Sequence, residues 1–210
     1  MFIKLNDLFS KFRNSTVGRF SRENKGAAAI EFALIAPLLL TLYLGTMEIS
    51  RGLQVNKKVG RAASTMGDLV AQLSSGDNVT TTSIDAILKI GKATLQPYNL
   101  SSPTIIVSGI SMDSAGVATV AWSRQLAGTT YTRPYAINAP ATSPAIPTKL
   151  KIASTFLIRV QVKLEYVSIT GWSLTKNKVD GGGKSYAAID MSEIYYFKPR
   201  VDDSLSCAAC

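Results

Sequence analysis

Residues 26–45 read GAAAIEFALIAPLLLTLYLG, a run in which Glu31 is the single charged residue. The stretch from Ala27 to Gly45, about 19 residues, would span roughly 28 Å as a helix, close to the hydrocarbon thickness of a bilayer. We therefore predict one transmembrane helix over residues 27–48. Pro37 is expected to bend this helix rather than to end it, because prolines are tolerated in membrane spans.

The charge of Glu31 needs an explanation, because this helix is predicted to cross a membrane. A carboxylate near the middle of a transmembrane helix costs about 2.5 to 3.5 kcal/mol, and somewhat less near the interface. Two interpretations follow. The side chain can reach the headgroups from one turn inside the membrane, or it can have a partner and a function there.

A basic leader precedes the helix. Residues 1–25 contain six Lys or Arg residues and two acidic ones, and positive charge favours a cytoplasmic N-terminus. Apolar residues recur in it at intervals of three or four, as in a helix lying on an anionic membrane surface. These residues are Phe2, Leu5, Phe9 and Phe12. A secretory signal peptide is the competing interpretation, but the apolar run is longer than a usual signal core.

Composition excludes several functional classes. The 210 residues carry a formal charge of +9, but beyond the leader the basic residues do not cluster, so we expect no nucleic-acid partner. Histidine is absent, which removes histidine-based catalysis and the usual metal ligands. We therefore expect neither an enzyme, nor a metal site, nor a cofactor. About 140 residues remain after the leader and helix, enough for one globular domain.

Apolar spacing predicts two helical pieces beyond the span. The long helix should continue over residues 49–73, because an apolar stripe recurs at intervals of three and four. The stripe consists of Val55, Val59, Ala62, Met66, Leu69 and Leu73. A second helix is predicted from Ile84 to Leu95, with Ser83 as its N-cap and Pro97 beyond its end.

Strands should follow, because the apolar period changes to two. A hairpin is predicted around residues 106–122, with its turn at residues 112–116. The proline-rich residues 139–148 should form a surface loop. Residues 156–166 alternate between apolar and polar side chains, which predicts a strand with one face in the core and the other, with Arg159 and Gln161, in solvent. A glycine-rich loop at 181–183 and a closing strand at 194–197 complete an α+β chain.

The start of the apolar run has a recognisable form. Gly26 directly follows the basic leader, and Glu31 is the fifth residue after it. This arrangement resembles a type IV prepilin signal, in which a leader peptidase cuts after the glycine. Together with Met47-Glu48-Ile49 and Arg61-Ala62-Ala63, the run is similar to the TadE family of pilus-assembly pseudopilins in Tad (tight adherence, Flp) systems.

The resemblance implies a pilin-like α+β fold, with a long N-terminal helix packed on a small antiparallel sheet domain. It implies four segments: a cleaved cytoplasmic leader (1–26), a transmembrane helix (27–48), its extracytoplasmic continuation (49–73) and an extracytoplasmic α+β domain (74–210). The processing signal would be Lys25, Gly26, Ala27 and Glu31. The α-amino group of Ala27 would pair with Glu31 of a neighbouring subunit.

The implied function is that of a minor pilin or pseudopilin, needed for initiation or at the tip of a Tad/Flp type IV pilus used in adhesion. Its partners would be a prepilin peptidase, other pilins or pseudopilins and the lipid bilayer. The location would be a bacterial inner membrane, with the C-terminal domain in the periplasm. The alternative is an uncleaved signal-anchor protein with a periplasmic domain that binds a ligand or a surface.

Cys207 and Cys210 are the two cysteines of the sequence. Their spacing is that of a redox motif, but no thioredoxin-like pattern surrounds them. On the oxidising side of a membrane we expect a local disulfide between them or pairing with another subunit.

Overall fold

The computed structural model describes residues 26–74, 79–98, 103–167, 177–179, 185–207 and 209–210. The chain divides into two compact units, and the boundary lies between Met47 and Glu48. The leader, Lys25 and the glycine-rich loop at 181–183 lie outside the described residues.

Two helices and six strands make up the described chain. In order they are α1 (Ala27–Ala71), α2 (Thr81–Thr94), β1 (Thr104–Met112), β2 (Ala118–Ala127), β3 (Thr130–Thr132), β4 (Phe156–Val167), β5 (Asn177–Val179) and β6 (Ser185–Phe197), with a short 3-10 helix at Thr148–Leu150. Helix α1 continues through Pro37, and the Thr41 hydroxyl donates to the Pro37 carbonyl at 2.8 Å.

The strands form one antiparallel sheet in the order β3-β2-β1-β4-β6-β5. The predicted hairpin is confirmed as β1 and β2. In its turn the Asp113 carboxylate accepts from the backbone N–H groups of Ala115 and Val117, at 2.9 and 2.8 Å. Gly116 has φ +78°, a conformation that favours glycine.

One face of the sheet packs against the helices. The predicted stripe of α1 is confirmed, because Val55, Val59, Ala62 and Met66 are fully buried in this core. Leu69 and Leu73 are partly buried against it. The expected α+β fold, a long N-terminal helix packed on an antiparallel sheet, is therefore confirmed.

The N-cap of α2 differs from the prediction. Thr80, not Ser83, is the N-cap, and its hydroxyl accepts from the Ser83 N–H at 3.1 Å. In return the Ser83 hydroxyl accepts from the Thr80 N–H at 2.9 Å. This reciprocal pair satisfies two N–H groups that a helix start leaves without partners. Ser83, at the third helical position, therefore takes part in capping, although Thr80 is the N-cap residue.

The second face of the sheet is covered over part of its length, which corrects the prediction that Arg159 and Gln161 face solvent, whereas Lys163 on the same face of β4 is exposed as predicted. Arg159 and Gln161 of β4 are buried, at 0% and 2% exposure. Residues 133–150, which we call the roof, fold over this face. Ala141 and Ile146 of the roof are buried with Leu157 and other sheet residues in a second apolar cluster. The proline-rich stretch is thus a packed cover and not merely a surface loop.

Candidate functional site

The first part of α1, residues 27–47, is termed here the apolar segment. Its large side chains are exposed, among them Phe32 at 69% and Leu34 at 75%. By length and composition α1 could cross a membrane, and no part of its most apolar 18-residue window is buried within the described structure. Soluble proteins rarely expose so much contiguous apolar surface. Lipid or neighbouring apolar helices would therefore be a suitable environment for this segment.

Gly26, Ala27 and Glu31 lie at the start of the apolar segment. Helix α1 begins at Ala27, and residues four apart on a helix share one face, one turn apart. Ala27 and Glu31 are therefore neighbours along this face. Both Gly26 and Glu31 are exposed, and Glu31 is the single charged residue of the segment. A Cβ added at Gly26 would meet no described residue within 4 Å, so packing within the described structure does not explain a glycine there.

The last part of α1, residues 55–71, is termed the packed segment. Small residues allow aromatic side chains of β6 to approach the helix closely. A Cβ at Gly67 would overlap the Phe197 ring, and one at Gly60 would lie 3.3 Å from the Tyr195 hydroxyl. Beyond β6, the backbone N–H of Arg200 donates to the Ala71 carbonyl at 2.8 Å. The packed segment is therefore fixed on the sheet along its length.

The second compact unit begins at Glu48, whose carboxylate accepts a hydrogen bond from the Tyr166 hydroxyl at 2.8 Å. Burial first, and then the hydrogen bond to Glu48, raise the pKa of Tyr166 to about 12. The bond joins the start of this unit to the end of β4. The two residues are 118 positions apart, and no local pattern in the sequence predicted their contact.

Residues 26–66 match the family model of TadE-like proteins. The matched stretch begins at Gly26, includes Glu31 and the whole apolar segment, and ends within the packed segment. The resemblance predicted from the sequence is confirmed over these residues, and it suggests a protein associated with a Tad pilus. Comparisons with curated proteins and with solved structures found no match.

The structure joins Cys207 and Cys210 in a disulfide. Both residues are buried in the main core. Nearby, the Trp122 indole N–H donates to the Leu205 carbonyl at 2.7 Å, and Arg133 donates to the Cys210 carbonyl. The terminal residues are thereby packed on the domain. Oxidation of this pair in the native protein stays a prediction.

Proposed function

We propose that this chain is a membrane-anchored minor pilin or pseudopilin, needed for initiation or at the tip of a Tad/Flp type IV pilus. It works through assembly with other subunits and not through catalysis. One observation carries the proposal. The TadE-like match over residues 26–66 includes the whole exposed apolar segment, whose single charge lies five residues after Gly26.

Processing by a prepilin peptidase after Gly26 would make Ala27 the new N-terminus. Helix α1 begins at Ala27, so the new α-amino group would lie at the helix end itself. Within the described part of the chain, Glu31 has no hydrogen-bond or ion-pair partner. A charge left unpaired in a membrane costs several kcal/mol. Pairing Glu31 with the Ala27 amine of a neighbouring subunit would remove that cost and fix the register between helices.

The proposed location follows from the same segment. The basic residues of the leader favour a cytoplasmic N-terminus, and the apolar segment would cross the inner membrane. The unit that begins at Glu48 would then lie in the periplasm, where Cys207 and Cys210 can be oxidised. Its partners would be the peptidase, other pilins or pseudopilins and the bilayer, with an adhesive pilus as the product.

The second candidate is an uncleaved signal-anchor protein whose periplasmic domain binds a ligand or a surface. It is favoured by the part of the chain beyond residue 66, which lies outside the TadE-like match and contains a sheet with an apolar cluster on each face. The two candidates differ in whether the leader is removed.

Mass spectrometry of the protein purified from membranes distinguishes them. The proposal expects an N-terminus at Ala27, and expects Gly26→Val to retain its leader, because the peptidase must fit the residue before the cut into a narrow site. Gly45→Val is the matched control, since a Cβ at either glycine would meet no described residue within 4 Å. An intact Met1 in the wild-type protein, or normal shortening of Gly26→Val, would reject processing after Gly26.

Glu31→Gln then tests the assembly step, because it keeps the shape of the side chain and removes its charge. The variant should be cleaved and inserted normally, as judged by immunoblot. Electron microscopy should show few surface pili or none. Normal piliation with normal cleavage would leave Glu31 as a tolerated interfacial residue and contradict the charge pair.

A further inference from the structure

The second compact unit begins at Glu48, directly after the apolar segment. Residues 27–47 would span about 31 Å as a helix, which matches the hydrocarbon thickness of a bilayer. The proposed function places this segment in the membrane. Glu48 would then lie at the boundary between the hydrocarbon and the lipid headgroups, and the part of the domain beside Glu48 would lie at the membrane surface.

One end of the sheet lies beside Glu48. Tyr166 is the last but one residue of β4, and its hydroxyl donates to the Glu48 carboxylate at 2.8 Å. In the strand register Ile189 of β6 lies opposite Tyr166. The hydrogen bond therefore holds the end of β4 and the adjoining part of β6 next to the start of the unit. We call residues 48–53, 166–167 and 188–189 the Glu48 end.

Exposed apolar side chains cluster at the Glu48 end. Each of them is between 38% and 66% exposed. They are Ile49 and Leu53 of α1, Val167 of β4 and Ile189 of β6. Single exposed apolar side chains are normal on a protein surface, whereas a group of them marks an interaction site.

The distance of these side chains from Glu48 indicates what they contact. The headgroup layer is about 5 to 7 Å thick on each side of the hydrocarbon. Ile49 and Leu53 lie at most about 2 and 8 Å beyond Glu48 along the helix. Val167 directly follows Tyr166, which is bonded to Glu48. The cluster would therefore lie at the level of the headgroups, where lipid is the neighbour of an exposed apolar side chain.

The charge at the Glu48 end also suits a lipid surface. Arg51 lies between Ile49 and Leu53 in the sequence, and it is half-buried. A long basic side chain can keep its stem on apolar surface while its guanidinium reaches lipid phosphates. An apolar group with a cation beside it is the composition of a surface that lies in the headgroup layer.

The opposite end of the sheet offers a comparison. The strand β4 runs for about 36 Å from Phe156 to Val167. Phe156 lies near the turn of the β1–β2 hairpin, because it is paired with Ser111 of β1. Val117 in this turn and Ile152 before β4 are exposed as well, at 54% and 48%. The two ends of the sheet thus carry exposed residues of the same types.

We propose that the Glu48 end of the domain rests on the phospholipid headgroups, with Val167 and Ile189 inserted among them. The domain is then held at the membrane by β4 and β6 as well as by α1. This inference rests on the membrane anchor of the proposed function. It does not depend on processing after Gly26 or on the pilus.

Photo-crosslinking of the full chain tests the contact in phosphatidylcholine nanodiscs that hold one copy each. Benzoylphenylalanine is introduced at Val167 or Ile189, with Val117 and Ile152 as matched control sites. Under light its ketone couples to a C–H bond of a neighbouring molecule, and mass spectrometry identifies protein–lipid adducts. We expect lipid adducts from Val167 and Ile189 and none from the two control sites.

All four sites are exposed, so the variants should keep the Tm of the wild type, and a variant that unfolds is replaced by the other site of its pair. An absence of lipid adducts at Val167 and Ile189, or equal adducts at the control sites, would overturn the proposal. Adducts to a second copy in place of lipid, in vesicles that hold several copies, would also overturn it.

Alkaline carbonate extraction separates this failure from a failure of the proposed function. A wild-type protein that carbonate releases from membranes would contradict the anchor, and the headgroup contact with it. A protein that stays in the membrane but gives no lipid adducts would contradict the headgroup contact alone.

Discussion

The apolar segment and the packed segment belong to one helix but have opposite environments. In the apolar segment the large residues are exposed, with Leu34 at 75%, whereas in the packed segment Val59 is 0% exposed. The large residues of the apolar segment are mainly Leu, while the packed segment buries mainly Val and Ala. Small residues allow close approach of a sheet, and large ones suit contact with lipid. Both segments are apolar, and side-chain size therefore distinguishes them where hydrophobicity does not.

The largest expected effect comes from placing the same acid in each segment. Val59→Asp would bury a carboxylate without a partner and should destabilise the domain by about 4 to 5 kcal/mol. Leu39→Asp, at a side chain that is 56% exposed, should leave the domain folded but should oppose membrane insertion by about 2.5 to 3.5 kcal/mol. Thermal unfolding measures the first effect, and membrane fractionation measures the second.

Val59→Asp should therefore lower thermal stability and leave membrane fractionation unchanged, and Leu39→Asp should do the reverse. If Leu39→Asp unfolded the domain while membrane insertion stayed normal, the apolar segment would be packing against protein and not against lipid.

A smaller effect is expected from adding one methyl group to the helix. Gly67→Ala would overlap the Phe197 ring of β6 and should destabilise the domain by about 1 to 3 kcal/mol, the usual range for overpacking a core. Gly45→Ala has nothing within 4 Å of the new Cβ and is the matched control. Urea unfolding in detergent compares the two. Equal stabilities would mean that β6 can move away from the helix without cost.

The smallest effect concerns Glu48, where the second compact unit begins. Tyr166→Phe removes the hydrogen bond to Glu48 and should destabilise the domain by about 1 kcal/mol at neutral pH. The pKa of Tyr166 is raised to about 12, so folding favours the neutral phenol. The advantage of the wild type over Tyr166→Phe should hold below about pH 10, the ordinary tyrosine value, and disappear as the pH approaches 12.

Unfolding of both proteins between pH 8 and 12 tests this dependence. A stability difference that stays constant across the range would mean that Tyr166 is not protected by its burial and its bond to Glu48.

The sequence by itself determined those features that depend on neighbours along the chain. The intervals of three and four from Val55 to Met66 identified the buried stripe of α1, because helical geometry relates such positions directly. Alternation along β4 separated its two faces for the same reason. The Gly26 to Glu31 spacing and the apolar run likewise lie within one stretch, and the family match covers them.

Only the tertiary structure shows which parts of the chain cover each face of the sheet. Alternation placed Arg159 and Gln161 on the face opposite the core, but it could not show that the roof, residues 133–150, closes over them. The roof has four prolines and no regular period, so its sequence does not indicate which surface it packs on. Likewise Glu48 and Tyr166 meet across 118 residues. Contacts between distant parts of the chain depend on how the whole domain packs, and local sequence patterns do not predict that arrangement.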